Sequence, residues 1–169
     1  MPTPDAVSAE IAARVAADIE ARRDRINEGF SRFYAPLAVV AFVLTFLPYY
    51  RSAPEDSTQY GGLWQELART GHSYDAAAVM IFLALIALLA VAAIRKLPGP
   101  GLFAAAALSL IIGIMVWTAP GFSDPPDLTD AAILDIAFSF TAAAMMLTHV
   151  ALLVIYRRQI GRASCRERV

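Results

Sequence analysis

Residues 131–156, AAILDIAFSFTAAAMMLTHVALLVIY, decide the fold class of this chain. Well inside the run stand two ionisable side chains, Asp135 and His149, and it is longer than the about 20 apolar residues that a helix needs to cross a bilayer. Three more apolar blocks precede it, at 33–50, 76–94 and 101–119. Apolar residues gathered into long blocks, and not spread at core spacing, belong to bilayer crossing. The composition agrees, with 58% hydrophobic residues, 17% charged residues and a mean hydropathy of +0.55, whereas charge runs near a quarter in ordinary soluble domains. The expected fold is an all-α membrane protein with four transmembrane helices, preceded by a cytoplasmic amphipathic helix over 1–32. With 169 residues, no large soluble catalytic domain fits beside four spans. A net charge of −1 offers no basic excess for nucleic acid.

Orientation follows from Arg and Lys near the span ends, because positively charged loops resist translocation. Arg22, Arg23, Arg25 and Arg32 precede the first span, Arg95 and Lys96 join the second to the third, and Arg157 and Arg158 follow the fourth. The first connection holds Arg51 and Arg69, and the third holds neither residue type. Both termini are therefore expected in the cytoplasm. Phe33, Tyr34, Tyr49, Tyr50, Tyr74, Trp117 and Tyr156 fall where headgroup belts would lie. Thirteen Arg against one Lys, with abundant Ala, suit a GC-rich bacterial genome, so the plasma membrane of such a bacterium is the expected location.

In the N-terminal segment, Thr3-Pro4-Asp5 reads as an N-cap, a proline at the first helical position and an acid in the first turn. Val7, Ile11, Val15, Ile19, Ile26, Phe30 and Phe33 then fall within about 140° of a helical wheel, an apolar stripe that something must cover. Glu10, Asp18, Glu20, Asp24 and Glu28 balance Arg14, Arg22, Arg23, Arg25 and Arg32, so anionic lipid gains little there. A partner helix is the preferred cover, with Ile11, Val15, Ile19, Ile26 and Phe30 as the contact surface; membrane-surface docking and an uncovered extension of the first span are the alternatives. In the connection 51–75, Gly61-Gly62 and Gly71 bracket a short helix whose Leu63, Trp64 and Leu67 share a face and would anchor it at the outer interface. On the third span, Gly101, Ala105, Ser109 and Gly113 recur at i+4 and clear one stripe for a close helix neighbour, within the bundle or in another protomer.

Candidate chemistry is sparse. Asp135, Ser139, Ala142, Met146 and His149 form one seam of the fourth span. Ionisable groups in hydrocarbon are costly unless paired, hydrated or turned inward. Fourteen residues at 1.5 Å rise hold Asp135 and His149 about 21 Å apart, so they are not a dyad. Ser109, Thr45, Thr141 and Thr148 are the polar residues available to extend a path between them. Inward structural contacts are the plainer expectation, and a proton or cation pathway the sharper one. The acidic run 124–130 matches no known calcium-loop spacing, and His72 and His149 fall at opposite membrane faces, so no metal site is expected. No cofactor motif and no nucleophile–base set is present in the sequence, and an enzyme is not expected.

The last ten residues, IGRASCRERV at 160–169, resemble a translated sequencing adapter and are set aside, leaving 157–159 as the cytoplasmic flank. Removing Arg162, Arg166, Arg168 and Glu167 takes the net charge from −1 to −3, and the chain's one cysteine, Cys165, goes with them. The first span leaves through Leu47-Pro48-Tyr49-Tyr50 into an aromatic-containing loop ahead of an Ala/Leu-rich span. In this outline the chain resembles small uncharacterised four-pass membrane proteins of high-GC bacteria, a resemblance that implies no catalytic residues. The expected function is that of a non-enzymatic scaffold, assembly or regulatory subunit of a membrane complex. It would meet the lipid bilayer and a protein partner or a second copy of itself, and no nucleic acid. The alternative is a small transporter or channel using the polar residues of the fourth span.

Overall fold

The structure, a computed structural model, describes residues 4–51, 60–70, 73–95, 97, 99–119 and 127–166. Among these the chain forms five helices: α1 (Pro4–Leu44), α2 (Leu63–Thr70), α3 (Ser73–Ile94), α4 (Gly99–Thr118) and α5 (Asp130–Arg166). The four long helices close a ring in which α1 packs on α3, α3 on α4, α4 on α5 and α5 back on α1. Short α2 lies against α3.

Among the described residues three helical stretches are long and apolar enough to cross a membrane: Ala76–Ile94, Gly99–Thr118 and Asp130–Tyr156. Their outward faces carry Met80, Ile94, Phe103, Ile114, Trp117, Ile133 and Leu134, all exposed, as a lipid-facing surface requires. Leu85, Leu89, Leu102 and Met146 fill the interior. The third expected span begins two residues early, because Gly99-Pro100 enters the helix and proline is at home in a first turn, where its missing N–H costs no hydrogen bond. α5 starts on a side-chain cap, with Thr129 Oγ1 accepting from the Ala132 amide at 3.2 Å. It continues past Tyr156 to Arg166, so the backbone of 160–166 prolongs the same helix.

The first apolar block departs from expectation. It does not form a helix over 33–50, because α1 stops at Leu44. The cause is Pro48: it lacks an amide to donate, and its ring pushes the residue before it out of helical geometry. Only 33–44 of the block is helical, about 18 Å of rise against about 30 Å of hydrocarbon. Beyond Leu44 the backbone tightens, with Thr45, Phe46 and Leu47 amides donating to the carbonyls of Phe42, Val43 and Leu44 at 3.1–3.2 Å. Pro48 then bridges to Gly62 and Tyr50 to Leu128. Gly62 is required at that crossing, since a Cβ there would stand 2.5 Å from the Phe46 carbonyl oxygen.

The most extensive helix pair is α4 on α5. Ala105, Ser109 and Gly113 are all buried, and a Cβ added to Gly113 would lie 3.2 Å from the Ser139 Cβ. Gly113→Leu should therefore push the two helices apart and lower stability by about 1–3 kcal/mol, the usual cost of overpacking. Gly113→Ala should cost far less. Thermal unfolding in detergent checks the order; a leucine variant as stable as the parent would mean that the helices do not meet here.

Candidate functional site

Helical spacing turns Asp135, Ser139, Ala142, Met146 and His149 of α5 inward, and all five are buried. The seam has two polar ends with different surroundings.

At one end α1 receives His149. Asn27, Phe30 and Tyr34 are spaced i, i+3, i+7, so one face of α1 presents all three to the imidazole. The Tyr34 hydroxyl lies 2.7 Å from Nδ1, and Asn27 Oδ1 lies 2.9 Å from Nε2. The Phe30 ring stacks on the imidazole at 4.4 Å between centroids and 3° between planes. An amide oxygen can only accept, so Nε2 carries the proton and donates to Asn27, leaving Nδ1 to accept from the Tyr34 hydroxyl. A neutral imidazole has one donor and one acceptor, and both are used. The arrangement clamps α1 to α5. A cavity of about 310 Å³ opens beside it, with Asp24, Asn27, Tyr34, Arg95 and Leu102 among its walls.

At the other end Asp135 is fully buried, and neither carboxylate oxygen has a hydrogen-bond partner among the described residues. The same holds for Ser139 Oγ. The Ser139 carbonyl is engaged, accepting from Ser109 Oγ at 2.9 Å. Of the other polar residues that could extend a path, Thr141 and Thr148 are exposed and donate to the carbonyls of Ala137 and Ala144 one turn back on their own helix. Thr45 Oγ1 donates to the Phe42 carbonyl and accepts from Trp64 Nε1 at 2.9 Å. No chain of side chains joins Asp135 to His149 among the described residues.

The remaining sequence-derived surfaces divide in the same way. Ser109 and Gly113 meet α5 of their own chain and Ala105 is buried, whereas Gly101 is half-buried and faces Leu97. In the N-terminal stripe, Ile11 and Val15 are exposed, Ile19 and Ile26 are half-buried, and Phe30 is occupied by His149. Leu63, Trp64 and Leu67 are half-buried, and α2 is pinned to the end of α1 through the Leu63 amide, which donates to the Thr45 carbonyl at 3.2 Å, and through the Trp64 indole. His72 and residues 120–126, which include Asp124 of the acidic run, lie outside the described residues, as does the Thr3 cap. Sequence reasoning missed Asn27 and placed Tyr34 in a headgroup belt, whereas its ring is buried and its hydroxyl meets His149. Their register with Phe30 was the available signal, since a buried histidine needs two polar partners.

Tyr34→Phe should cost about 1–2 kcal/mol by leaving Nδ1 unsatisfied. In a His149→Phe background, where the ring stack survives and the hydrogen bond is already gone, the same change should cost much less. Chemical denaturation in detergent reads the coupling; additive effects would mean that the two groups do not interact. Compared with protein-family models, with curated proteins and with solved structures, the chain has no match.

Proposed function

We propose that this chain is a four-pass protein of a bacterial plasma membrane, with both termini in the cytoplasm. In this reading it serves as a non-enzymatic scaffold, assembly or regulatory subunit of a membrane complex. The fourth crossing is the 33–50 block, part helix and part extended chain. What supports it is register: Tyr34 is bonded to His149, while Thr129 Oγ1 donates to the Pro48 carbonyl at 2.6 Å and the Thr129 amide donates to the Tyr49 carbonyl at 3.0 Å. From Thr129 to His149 α5 rises about 30 Å, the thickness of the hydrocarbon core. The first block, tied at both levels, covers the same depth.

The scaffold reading is carried by one observation, the uncovered apolar face on the N-terminal part of α1. Val7, Ile11 and Val15 are 43%, 51% and 44% exposed. Apart from the half-buried Ile19, the described side chains from Glu10 to Arg23 are exposed, so this stretch of helix stands clear of the bundle. Exposed i,i+4 ion pairs such as Arg14 with Glu10 at 2.6 Å support helix locally and bind nothing tightly. The apolar stripe is the surface with free energy to gain from a partner helix. The transporter alternative draws on Asp135 and Ser139 alone, because both nitrogens of His149 are engaged and Thr141 and Thr148 turn outward.

Ile11→Asp together with Val15→Asp tests the reading. Each aliphatic side chain contributes about 1.5–3 kcal/mol when fully buried, so the pair should weaken association at least a hundredfold while membrane insertion is unchanged. Crosslinking yield and complex size in native membranes are the measurements. A complex unaltered by the double change would remove the scaffold reading. Ion flux in proteoliposomes that survives it and is lost in Asp135→Asn would favour transport.

A further inference from the structure

We infer that Asp135, assisted by Ser139, holds an exchangeable monovalent cation, Na⁺ or a proton, inside the closed bundle. The observation is the group of three polar oxygens, Asp135 Oδ1 and Oδ2 and Ser139 Oγ, that are buried and have no hydrogen-bond partner among the described residues. The relative exposures of the two residues are 0% and 1%. A bare carboxylate in such surroundings is too costly to persist, so its charge is neutralised on the spot.

The surroundings decide by what. The helix spacing of i, i+4 sets the Ser139 hydroxyl one turn from the carboxylate on the same face. α4 closes over that turn, with Gly113 opposite Ser139 and Ser109 Oγ on the Ser139 carbonyl. Neither Ala76–Ile94 of α3 nor the whole of α4 contains an acidic or basic residue to pair with Asp135. Beyond Leu44, the titratable neighbour is Tyr49, whose hydroxyl donates to the Leu44 carbonyl at 2.9 Å and whose ring stacks on Phe82. On α5 itself Asp130 is exposed, with Arg51 at 3.7 Å, and His149 is about 21 Å away. Asp75 stands in the first turn of α3; among the described residues no acid is hydrogen-bonded to Asp135, and one negative charge balances one positive charge. A divalent ion would leave a net charge of +1 in the bundle interior, which excludes that class. The site does not depend on the scaffold reading, and either can fail alone.

The test uses the full chain in lipid nanodiscs, as wild type and as the near-isosteric Asp135→Asn. Infrared spectra are taken with and without NaCl, together with equilibrium binding of radioactive Na⁺. A carbonyl stretch of a neutral carboxylic acid that shifts in D₂O, ignores Na⁺ and is missing from Asp135→Asn identifies the proton. Saturable binding of Na⁺, with a carboxylate band that responds to it and both signals lost in Asp135→Asn, identifies sodium; Ser139→Ala should then weaken binding at least tenfold. Should Asp135→Asn fail to fold, wild type alone still decides. The neutral-acid band or saturable Na⁺ binding supports the site, and a wild type with neither overturns it.

Discussion

Inside hydrocarbon a peptide N–H or C=O without a partner costs several kcal/mol, and this constraint governs each part of the molecule that meets the bilayer. Uninterrupted helices meet it trivially, and α3, α4 and α5 do so over their apolar lengths. The end of α1 must meet it by other means, because Pro48 stops the helix before the first apolar block is used up. The last carbonyls of α1 are taken up one by one: Phe42 by the amide and hydroxyl of Thr45, Val43 by Phe46, and Leu44 by Leu47 and by the Tyr49 hydroxyl. The following carbonyl, of Thr45, accepts from Leu63 of α2. Thus α2, which sequence placed as a float on the outer leaflet, also finishes the hydrogen bonding of a helix that ended early.

The same constraint sorts the interior polar groups. His149 is a fully satisfied clamp, and its position opposite Asn27, Phe30 and Tyr34 fixes the register of α1 against α5. Asp135 stands at the other end of the seam, buried without a partner among the described residues. One end therefore spends its polarity on architecture and the other keeps it available. The small-residue stripe of α4 belongs to the architectural part, since Ser109 and Gly113 are consumed by α5 of the same chain and Ala105 is buried. What is left for an outside partner is the projecting N-terminal part of α1.

Much of this was legible in the sequence where one signal dominates. Long apolar runs locate the stretches Ala76–Ile94, Gly99–Thr118 and Asp130–Tyr156 within a few residues, because nothing but a span accommodates them. The end of α1 was harder: Leu47-Pro48-Tyr49-Tyr50 reads as apolar in a hydropathy window, while the backbone obeys the proline. The partnership of Asn27 and Tyr34 with His149 was invisible for another reason, Tyr34 reading as a headgroup-belt aromatic. Polar residues near charged neighbours on an amphipathic helix look like a solvated face until a second helix 115 or more residues away is laid against them. The hydrogen bond from Trp64 to Thr45 was out of sight for the same cause, since it spans 19 residues that no local pattern connects. The apolar stripe of α1 was read as one surface. Three-dimensional packing divides it into a half-buried end at Phe30, stacked on His149, and an open end at Ile11 and Val15.

The proposed fourth crossing rests on the first block reaching from His149 to Thr129 although its helix stops at Leu44, and parity tests this most directly. Reporters fused before Met1 and, in a chain ended at Gln159, after its last residue are scored for the side of the membrane they occupy in intact cells. Four crossings put both reporters in the cytoplasm. Reporters on opposite sides would mean three crossings, with the first block lying at the surface, and would contradict the register on which the proposal stands.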